Sequence, residues 1–265
     1  MTTNHSTQQS PTTDPKALAG KKAVVTGGTI GMGRAIVRAL TDRGAEVMYT
    51  GRSDQRLAEA QAALDTQLAH PVRSDATDAI AIAALGDQAA DRLGHIDYLF
   101  VNQGIAEFQT LEEVTEESWD RIFDVNAKGA FFTVQRLAPL MREGGSIVFT
   151  TVSNDQIFPG LSAYSGAKEA VAAFAKVLAA ELLPRKIRVN AIAPGFILTP
   201  TMGVAELTDE QRAEFVEQGN ASTPMGRGGT VEEVAAAALY LAVEATFTTG
   251  VELPVDGGFS QGLSE

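Results

Sequence analysis

The sequence predicts an α/β fold, a doubly wound parallel sheet of about seven strands with helices on both faces. Short apolar, β-branched runs alternate along the chain with segments whose apolar residues recur at helical spacing. The runs are continuously apolar, which is typical of parallel strands buried on both faces. The first run also ends in a glycine-rich turn that leads into a helix. A chain of 265 residues with this alternation is expected to form a single domain.

Strands and helices follow one another in order from the first apolar run. The apolar runs are predicted to be strands at Lys22–Thr26, Glu46–Thr50, His70–Ser74, Tyr98–Asn102, Ser146–Thr150, Arg188–Ala193 and Val251–Val255. The segments with helical spacing are predicted to be helices at Arg34–Arg43, Ser53–Leu68, Ala79–Leu93, Glu117–Leu140, Ala163–Leu183 and Val231–Val243. Because parallel neighbours need a crossover connection, a helix between successive strands indicates a parallel sheet.

The start of the chain falls outside this alternation. Residues 1–18 are predicted to be a disordered N-terminal tail, and residues 19–265 the domain. Met1–Pro15 is rich in Thr, Ser, Gln and Pro and almost without apolar residues. Docking of this tail on a neighbouring subunit is the alternative. The tail lacks the basic start and apolar run of a signal peptide, and no run approaches the ~20 residues of a membrane span, so a cytoplasmic location is expected.

One long irregular stretch, residues 196–229, is predicted to be a lid over a substrate. It is rich in Thr, Pro and Gly, and connections of that length inside a domain are usually functional. Its part Thr208–Gln218 has helical character, so an ordinary surface helix is the alternative, and both can hold. The apolar residues that would form a wall facing the substrate are Met202, Val204, Leu207, Phe215 and Val216.

Composition and charge exclude several classes of function. The chain has 21 Lys and Arg against 33 Asp and Glu, a net charge of −12. This charge disfavours nucleic acid and anionic membranes as partners, although it leaves room for a local basic site for one phosphate. Without cysteine there is no disulfide framework, thiolate zinc site or cysteine nucleophile. The three histidines are scattered and do not indicate a metal site.

The glycine-rich turn Thr26–Gly33 indicates a Rossmann-like dinucleotide site. Glycine permits positive φ and a close backbone approach, and the N–H groups of the following helix would face a pyrophosphate. A tight strand-to-helix turn without a ligand is the alternative. The position of the turn after the first strand of an α/β pattern favours nucleotide binding.

The spacing of this turn, TGxxxGxG, resembles that of the short-chain dehydrogenase/reductase family. Further segments resemble this family in the same order, over about residues 20–260: Asn102-Gln103-Gly104 with Gln103 in place of the usual Ala, Val125-Asn126, Tyr164-Ser165-Gly166-Ala167-Lys168, Ile187–Gly195 and Val255-Asp256-Gly257-Gly258. The resemblance implies an NAD(P)-dependent oxidoreductase that interconverts a carbonyl and a secondary alcohol by hydride transfer.

Tyr164 and Lys168 are the expected acid/base pair. Four residues apart, they share one face of a helix. A phenol of pKa ~10 is a poor base, and a neighbouring ammonium is expected to lower that pKa. The resemblance implies that Tyr164 is the general acid/base and that Lys168 also binds the nicotinamide ribose. It further implies that Asn126 positions a water as proton relay; a polar residue that satisfies nearby backbone is the alternative for Asn126.

The family's site also contains a serine hydroxyl near the end of the fifth strand, and here the sequence departs from the pattern. Thr151 stands 13 residues before Tyr164, the usual family spacing, since 164 − 13 = 151. Ser153 lies only 11 residues before Tyr164. Thr151 is preferred because its hydroxyl makes the same hydrogen bonds. Ser153 stays open.

The end of the second strand predicts NADP(H) rather than NAD(H). An acid there would select NAD, but Gly51 occupies that position and Arg52 follows it. Arginine suits a 2′-phosphate, whereas a solvated Arg52 is the alternative. Ile30 offers no basic group in the glycine turn. The full set of expected cofactor contacts is Gly27, Thr29, Ile30, Gly31, Gly33, Gly51, Arg52, Asp75, Ala76, Asn102, Gly104, Tyr164, Lys168, Pro194, Gly195, Ile197 and Thr199.

Partners and competing functions complete the predictions. Ala170–Leu183 is apolar on more than one face, which with the resemblance predicts a homotetramer or homodimer. The substrate is expected to be a small carbonyl or alcohol selected by the lid and by residues near Gln103, Ala106, Asp155 and Gln156. A catalytically silent dinucleotide sensor is one competitor, and a tyrosine-dependent dehydratase or epimerase is another. The Tyr164–Lys168 pair argues against the sensor, which has no need of a base.

Overall fold

The computed structural model describes residue 14 and residues 16–154, 158–200 and 208–263. Most of the predicted tail lies outside the described residues. So do Asp155 and Gln156, as well as the lid residues Met202, Val204 and Leu207.

A seven-stranded parallel sheet forms the centre of the molecule, which confirms the predicted doubly wound α/β class. Its strands are β1 Lys22–Thr26, β2 Glu46–Gly51, β3 Ala69–Arg73, β4 Ile96–Val101, β5 Met141–Thr150, β6 Arg188–Pro194 and β7 Glu252–Val255. The strand order is β3-β2-β1-β4-β5-β6-β7, and every neighbouring pair is parallel. Strands are added to one side of β1 up to β3 and to its other side from β4 onward, so the strand order reverses between β1 and β4. At such a point α/β folds bind ligands at the carboxyl ends of the strands.

Helices cover both faces of this sheet. The α-helices of the described residues are α1 Gly31–Thr41, α2 Asp54–Leu64, α3 Ala79–Leu93, α4 Glu116–Phe123, α5 Gly129–Leu137, α6 Ser162–Leu182, α7 Asp209–Ser222 and α8 Val231–Leu239. None of the helices in the described ranges is long and apolar enough to cross a membrane.

The alternating side chains of the strands divide the core into two layers. In β1, Ala23 and Val25 pack on the layer beneath α1 and α8, whereas Val24 packs on the opposite layer beneath α3, α5 and α6. All three side chains are fully buried. Burial of a valine of this kind contributes about 1.5–3 kcal/mol, which is why the strands are continuously apolar.

Most predicted boundaries shift by a few residues, and three differences have consequences for the packing. The single helix predicted over Glu117–Leu140 is interrupted by a π-helical turn at Asp124–Lys128 and ends in a 3₁₀ turn that contains Pro139. The second helix ends at Leu64 rather than Leu68, because Asp65 takes a left-handed conformation with φ +48°. Leu18, which the sequence assigned to the tail, is 3% exposed and belongs to the packed core.

Candidate active site

A cavity of about 820 Å³ opens at the carboxyl ends of the central strands. This volume is in the range of small-molecule and cofactor sites. The predicted site residues that line it are Gly27, Thr29, Ile30, Gly31, Gly51, Arg52, Asp75, Ala76, Asn102, Gly104, Thr151, Tyr164, Lys168, Pro194, Gly195, Ile197 and Thr199. Gly33, Asn126 and Ser153 do not line the cavity. The loops after β1, β2, β3, β4, β5 and β6 therefore bring segments that are far apart in sequence to one place.

The glycine turn forms one wall of the cavity and fits a phosphate group. Gly27 and Gly31 have φ of +64° and +56°, in the left-handed region that favours glycine. A Cβ on Gly33 would lie 2.1 Å from the carbonyl oxygen of Gly27, so Gly33 allows α1 to pack against the turn rather than lining the cavity. No side chain caps the N-terminus of α1 at Ile30. The N–H groups of its first turn are thus left for a ligand, and this end of the cavity fits the diphosphate of a dinucleotide.

Two arginines and one aspartate mark the end of the cavity beside Gly51. Burial alone would raise the pKa of Asp75, but the backbone N–H and hydroxyl of Thr77, at 2.9 and 2.8 Å, hold this pKa below its usual value, together with the nearby Arg52 guanidinium. Arg56 also lines the cavity and was missed by the sequence analysis. The sequence feature that could have identified it is its position in the first turn of α2, shortly after Arg52. Within the described residues, neither guanidinium forms an ion pair.

Tyr164 and Lys168 lie one turn apart on α6, at the other end of the cavity. Lys168 is 3% exposed, and its Nζ donates to the Thr150 carbonyl at 2.9 Å. The same Nζ lies 5.9 Å from the centroid of the Tyr164 ring. A Cβ on Gly104 would approach Lys168 Nζ to 3.1 Å and Asn126 Oδ1 to 2.8 Å. The absence of a side chain at Gly104 lets Lys168 and Asn126 face one another across it.

The carboxamide of Asn126 is engaged with the backbone. Its Oδ1 accepts from the Ile105 N–H at 3.1 Å, and its Nδ2 donates to the carbonyls of Ile105 and Ile122, both at 2.9 Å. These bonds tie the π-helical turn Asp124–Lys128 to the loop after β4. They match the alternative role of Asn126, that of a polar residue whose side chain satisfies nearby backbone groups. The second lone pair of Oδ1 is the acceptor that this side chain has left for a water.

Thr151 and Ser153 have different surroundings. Thr151 lines the cavity, and its hydroxyl donates to the Ile192 carbonyl at 2.9 Å. Ser153 is not among the lining residues, and its hydroxyl donates to Asp256 Oδ2 at 3.4 Å. Of these two hydroxyl-bearing residues, Thr151 is the one that borders the cavity, and in the free protein its proton is used by Ile192.

Comparisons with known proteins agree with this geometry. The sequence model of a family described as enoyl-(acyl carrier protein) reductase matches residues 27–260. An uncharacterized oxidoreductase of Methylorubrum extorquens is 39% identical over 91% of this chain and 98% of its own. The crystal structure of a short-chain type dehydrogenase/reductase from Mycobacterium marinum superposes with a TM-score of 0.82, at 31% identity, over 93% of this chain and 98% of that chain.

The chain belongs to the short-chain dehydrogenase/reductase family. An NADP-dependent (R)-specific alcohol dehydrogenase of Lentilactobacillus kefiri is a further relative, 34% identical over 92% of this chain and 98% of its own. These relatives confirm the function predicted from the sequence. The protein is an NAD(P)-dependent oxidoreductase of the carbonyl/alcohol pair.

Burial changes the acid/base properties that the sequence analysis predicted for this dehydrogenase/reductase. Desolvation raises the pKa of Tyr164 to about 12 and lowers the pKa of Lys168 to about 8. The prediction that the ammonium lowers the pKa of Tyr164 is wrong for the free protein, in which desolvation by burial raises this pKa. In the neutral range the phenol keeps its proton.

The predicted lid of this dehydrogenase/reductase begins and ends at one point. Gly229 N–H donates to the Phe196 carbonyl, and Leu198 N–H donates to the Gly229 carbonyl, both at 2.9 Å. From the described part of this segment, Phe196 and Phe215 line the cavity, with ring centroids 5.7 Å apart at 66°. Phe215 was predicted to face the substrate, whereas Phe196 was missed. The sequence feature that could have identified Phe196 as a lining residue is its position directly after Pro194-Gly195.

Proposed function

We propose that the enzyme is an NADP(H)-preferring carbonyl reductase and secondary-alcohol dehydrogenase in which Tyr164 is the general acid/base. The observation that carries this proposal is the placement of Arg52 and Arg56, whose guanidinium groups have no ion-pair partner in the described ranges, at one end of the cavity that holds Tyr164 and Lys168 at the other. A 2′-phosphate at that end would receive charge-assisted hydrogen bonds. The relative from Lentilactobacillus kefiri, which is named as NADP-dependent, supports the same preference.

Proton transfer is assigned to Tyr164. When bound, the cofactor supplies a hydride to the carbonyl carbon in reduction and accepts one from the alcohol in oxidation. In reduction the Tyr164 hydroxyl gives its proton to the substrate oxygen, and in oxidation the phenolate removes it. The raised pKa of Tyr164 keeps the proton in place near neutrality, which suits the acid role. The protonated phenol is the form that reduction uses.

The neighbours of Tyr164 hold the reacting groups. Lys168, fixed by Thr150, places a cation beside the phenolate and a donor toward the nicotinamide ribose. The Thr151 hydroxyl hydrogen-bonds the substrate oxygen once it turns from Ile192, with Ser153 as the alternative. Asn126 offers its remaining lone pair to a water that relays the proton between Lys168 and solvent.

An apolar body is proposed for the substrate. The described lining residues near Tyr164 include Ile105, Ala106, Val152, Phe196 and Phe215. Lys168 is the charged side chain among the described residues at this end. A neutral carbonyl compound that stacks on Phe196 and Phe215 fits such a wall, and closure of α7 over it would exclude water during hydride transfer.

An assembly of several subunits, a homotetramer or homodimer, is part of the proposal. One face of α6 packs on the sheet through Val171 and Ala175, while Val177 on the same helix is 56% exposed. Phe132 on α5 is 43% exposed. A contiguous apolar surface across these two helices would be covered by a partner subunit. A monomer at micromolar concentration in light scattering would contradict this assignment.

Calorimetric titration with NADPH and with NADH tests the cofactor preference first. NADPH is expected to bind at least about tenfold more tightly, a difference of about 1.4 kcal/mol. A screen of neutral ketones and aldehydes with NADPH then tests the reaction through net cofactor oxidation. Binding without turnover of any carbonyl would favour the silent sensor, and product formation without net cofactor turnover would favour the epimerase or dehydratase. Absence of binding by either cofactor would overturn the proposal.

A further inference from the structure

Gln103 carries a buried amide nitrogen that has no hydrogen-bond partner in the described part of the chain. It stands directly after β4 and lines the cavity, at the position where the family resemblance expects alanine. Its Oε1 accepts a hydrogen bond from the Thr26 hydroxyl. Its Nε2 is buried and has no hydrogen-bond partner among the described residues. A buried donor without a partner destabilises the free protein, because it has lost its water and gained nothing in return.

The surroundings of Gln103 place this amide between the two ends of the cofactor cleft. A Cβ on Gly27 would lie 3.0 Å from Gln103 Cα and 3.2 Å from its backbone nitrogen, so Gln103 touches the glycine turn. The next residue, Gly104, lies against Lys168 Nζ. Gln103 therefore sits between the turn that fits the diphosphate and the lysine assigned to the nicotinamide ribose.

The hydrogen bonds of Thr26 bear on which end of the Gln103 amide is free. The Thr26 Oγ1 accepts from the Asn102 N–H at 3.0 Å, and its one proton faces both Gln103 Oε1 and the Phe100 carbonyl, the latter at 3.3 Å. With that proton on Oε1 the carboxamide oxygen is held, and the two N–H donors of Nε2 are left over. Diphosphate and ribose oxygens are acceptors, whereas an apolar substrate offers few of them. The unused donors match the nucleotide rather than the substrate body.

We propose that Gln103 is a cofactor-binding residue whose Nε2 turns into the cleft and donates to an oxygen in the diphosphate–nicotinamide ribose part of the dinucleotide. The proposal rests on the function proposed above, since it requires the dinucleotide in this cleft. An alanine here would remove the unpartnered donor and cost the fold only the contact with Thr26. The glutamine gains its missing partner only when the ligand is bound.

Binding and stability measurements on Gln103→Met and Gln103→Ala test this assignment. Methionine keeps the length of the side chain without its donors, and alanine is the residue of the family pattern. For both variants we expect the Kd of NADPH and that of NADH to rise about tenfold. The Kd of 2′,5′-ADP, which lacks the nicotinamide ribose and the diphosphate bridge, is expected to stay unchanged. The melting temperature of the cofactor-free variants is expected to equal or exceed that of the wild type.

The outcomes separate this inference from the proposed function. Dinucleotide Kd values equal to those of the wild type in both variants would overturn the role of Gln103 and leave the proposed function intact. A parallel weakening of 2′,5′-ADP binding would assign the effect to a distorted cleft and also overturn it. If the wild type binds no dinucleotide, both the function and the inference fail. Unchanged 2′,5′-ADP binding with weaker dinucleotide binding would establish the contact.

Discussion

Lys168 Nζ donates to the Thr150 carbonyl at 2.9 Å, so the helix that carries Tyr164 is joined directly to the end of the strand that leads into Thr151. The lysine is 3% exposed and cannot swing into solvent. This contact also holds a cation where a phenolate would form.

Removal of the Tyr164 hydroxyl tests the acid/base assignment. Tyr164→Phe is expected to lower kcat by about 10²–10⁴-fold, because general acid–base catalysis contributes on this order. The Kd of the cofactor is expected to stay close to that of the wild type, since the ring is retained. Steady-state kinetics together with calorimetry check both quantities. Residual activity within threefold of the wild type would contradict the assignment.

Lys168→Met is expected to lower kcat and to weaken cofactor binding together, because the lysine is assigned both to the phenolate and to the ribose. Lys176→Met is the matched control, since Lys176 is an exposed lysine on the same helix. The control is expected to leave kcat and the cofactor Kd unchanged. Cofactor affinity that survives Lys168→Met in full would remove the ribose contact from the proposal.

The rates of reduction and of oxidation are expected to depend differently on pH. Burial raises the pKa of Tyr164 to about 12, so the phenol is protonated across the neutral range. Reduction, which uses the protonated form, is expected to be insensitive to this group between about pH 6 and pH 8. Oxidation needs the phenolate, whose fraction rises about tenfold per pH unit below the pKa. Initial rates in both directions check this, and an oxidation rate that falls as the pH rises would contradict it.

Much of the fold follows from local pattern, because burial on both faces requires continuous apolar runs. The bounds of β1 and α3 agree with the predicted Lys22–Thr26 and Ala79–Leu93. The π-helical turn at Asp124–Lys128 could not be predicted from periodicity, since its geometry is tied to the bonds between Asn126 and the backbone of Ile105, a tertiary contact.

The segments of the site could be predicted from the sequence, but some of its residues and one pKa could not. Motif spacing was sufficient to identify the segments that meet at the cavity. Arg56 and Phe196 were missed because their approach to the cavity depends on where α2 and the loop after β6 settle. The pKa of Tyr164 was predicted with the wrong sign, because the sequence shows the neighbouring lysine but not the depth of burial.

Arg52→Ala tests the NADP(H) preference. A hydrogen bond to a charged group contributes about 1.5–3 kcal/mol, so we expect the Kd of NADPH to rise by about ten- to a hundredfold while that of NADH is unchanged. Arg56→Ala is expected to act in the same direction. Arg73→Ala is the charge-matched control, because Arg73 lies at the end of β3, pairs with Asp54 at 3.5 Å and does not line the cavity. An equal loss of affinity for NADPH and NADH would show that the arginines do not distinguish the two cofactors.

Asn126→Ala is expected to destabilise the protein as well as slow it. The change leaves the N–H and carbonyl of Ile105 and the carbonyl of Ile122 without the amide, and each buried group left unsatisfied costs about 1–3 kcal/mol. Denaturant unfolding of the cofactor-free protein measures this loss. A variant with wild-type stability would show that water replaces the amide, and that the clamp between the π-helical turn and the loop after β4 is dispensable.

The choice between Thr151 and Ser153 is decided by three variants. Thr151 lines the cavity, whereas Ser153 bonds Asp256 outside the lining. Thr151→Val keeps the shape of the side chain and removes its hydroxyl, so kcat is expected to fall by about ten- to a hundredfold, the loss for one or two hydrogen bonds in the transition state. Thr151→Ser restores the hydroxyl and is expected to restore kcat.

Ser153→Ala is the variant that tests whether Ser153, and not Thr151, supplies the catalytic hydroxyl. Its loss breaks a 3.4 Å bond to a carboxylate that also accepts from the N–H groups of Gly258 and Ser260, so a small change in stability and little change in kcat are expected. Full activity of Thr151→Val together with an inactive but folded Ser153→Ala would transfer the catalytic hydroxyl to Ser153. In that case the loop after β5 would have to bring Ser153 into the cavity on substrate binding, because its hydroxyl is held by Asp256 in the free protein.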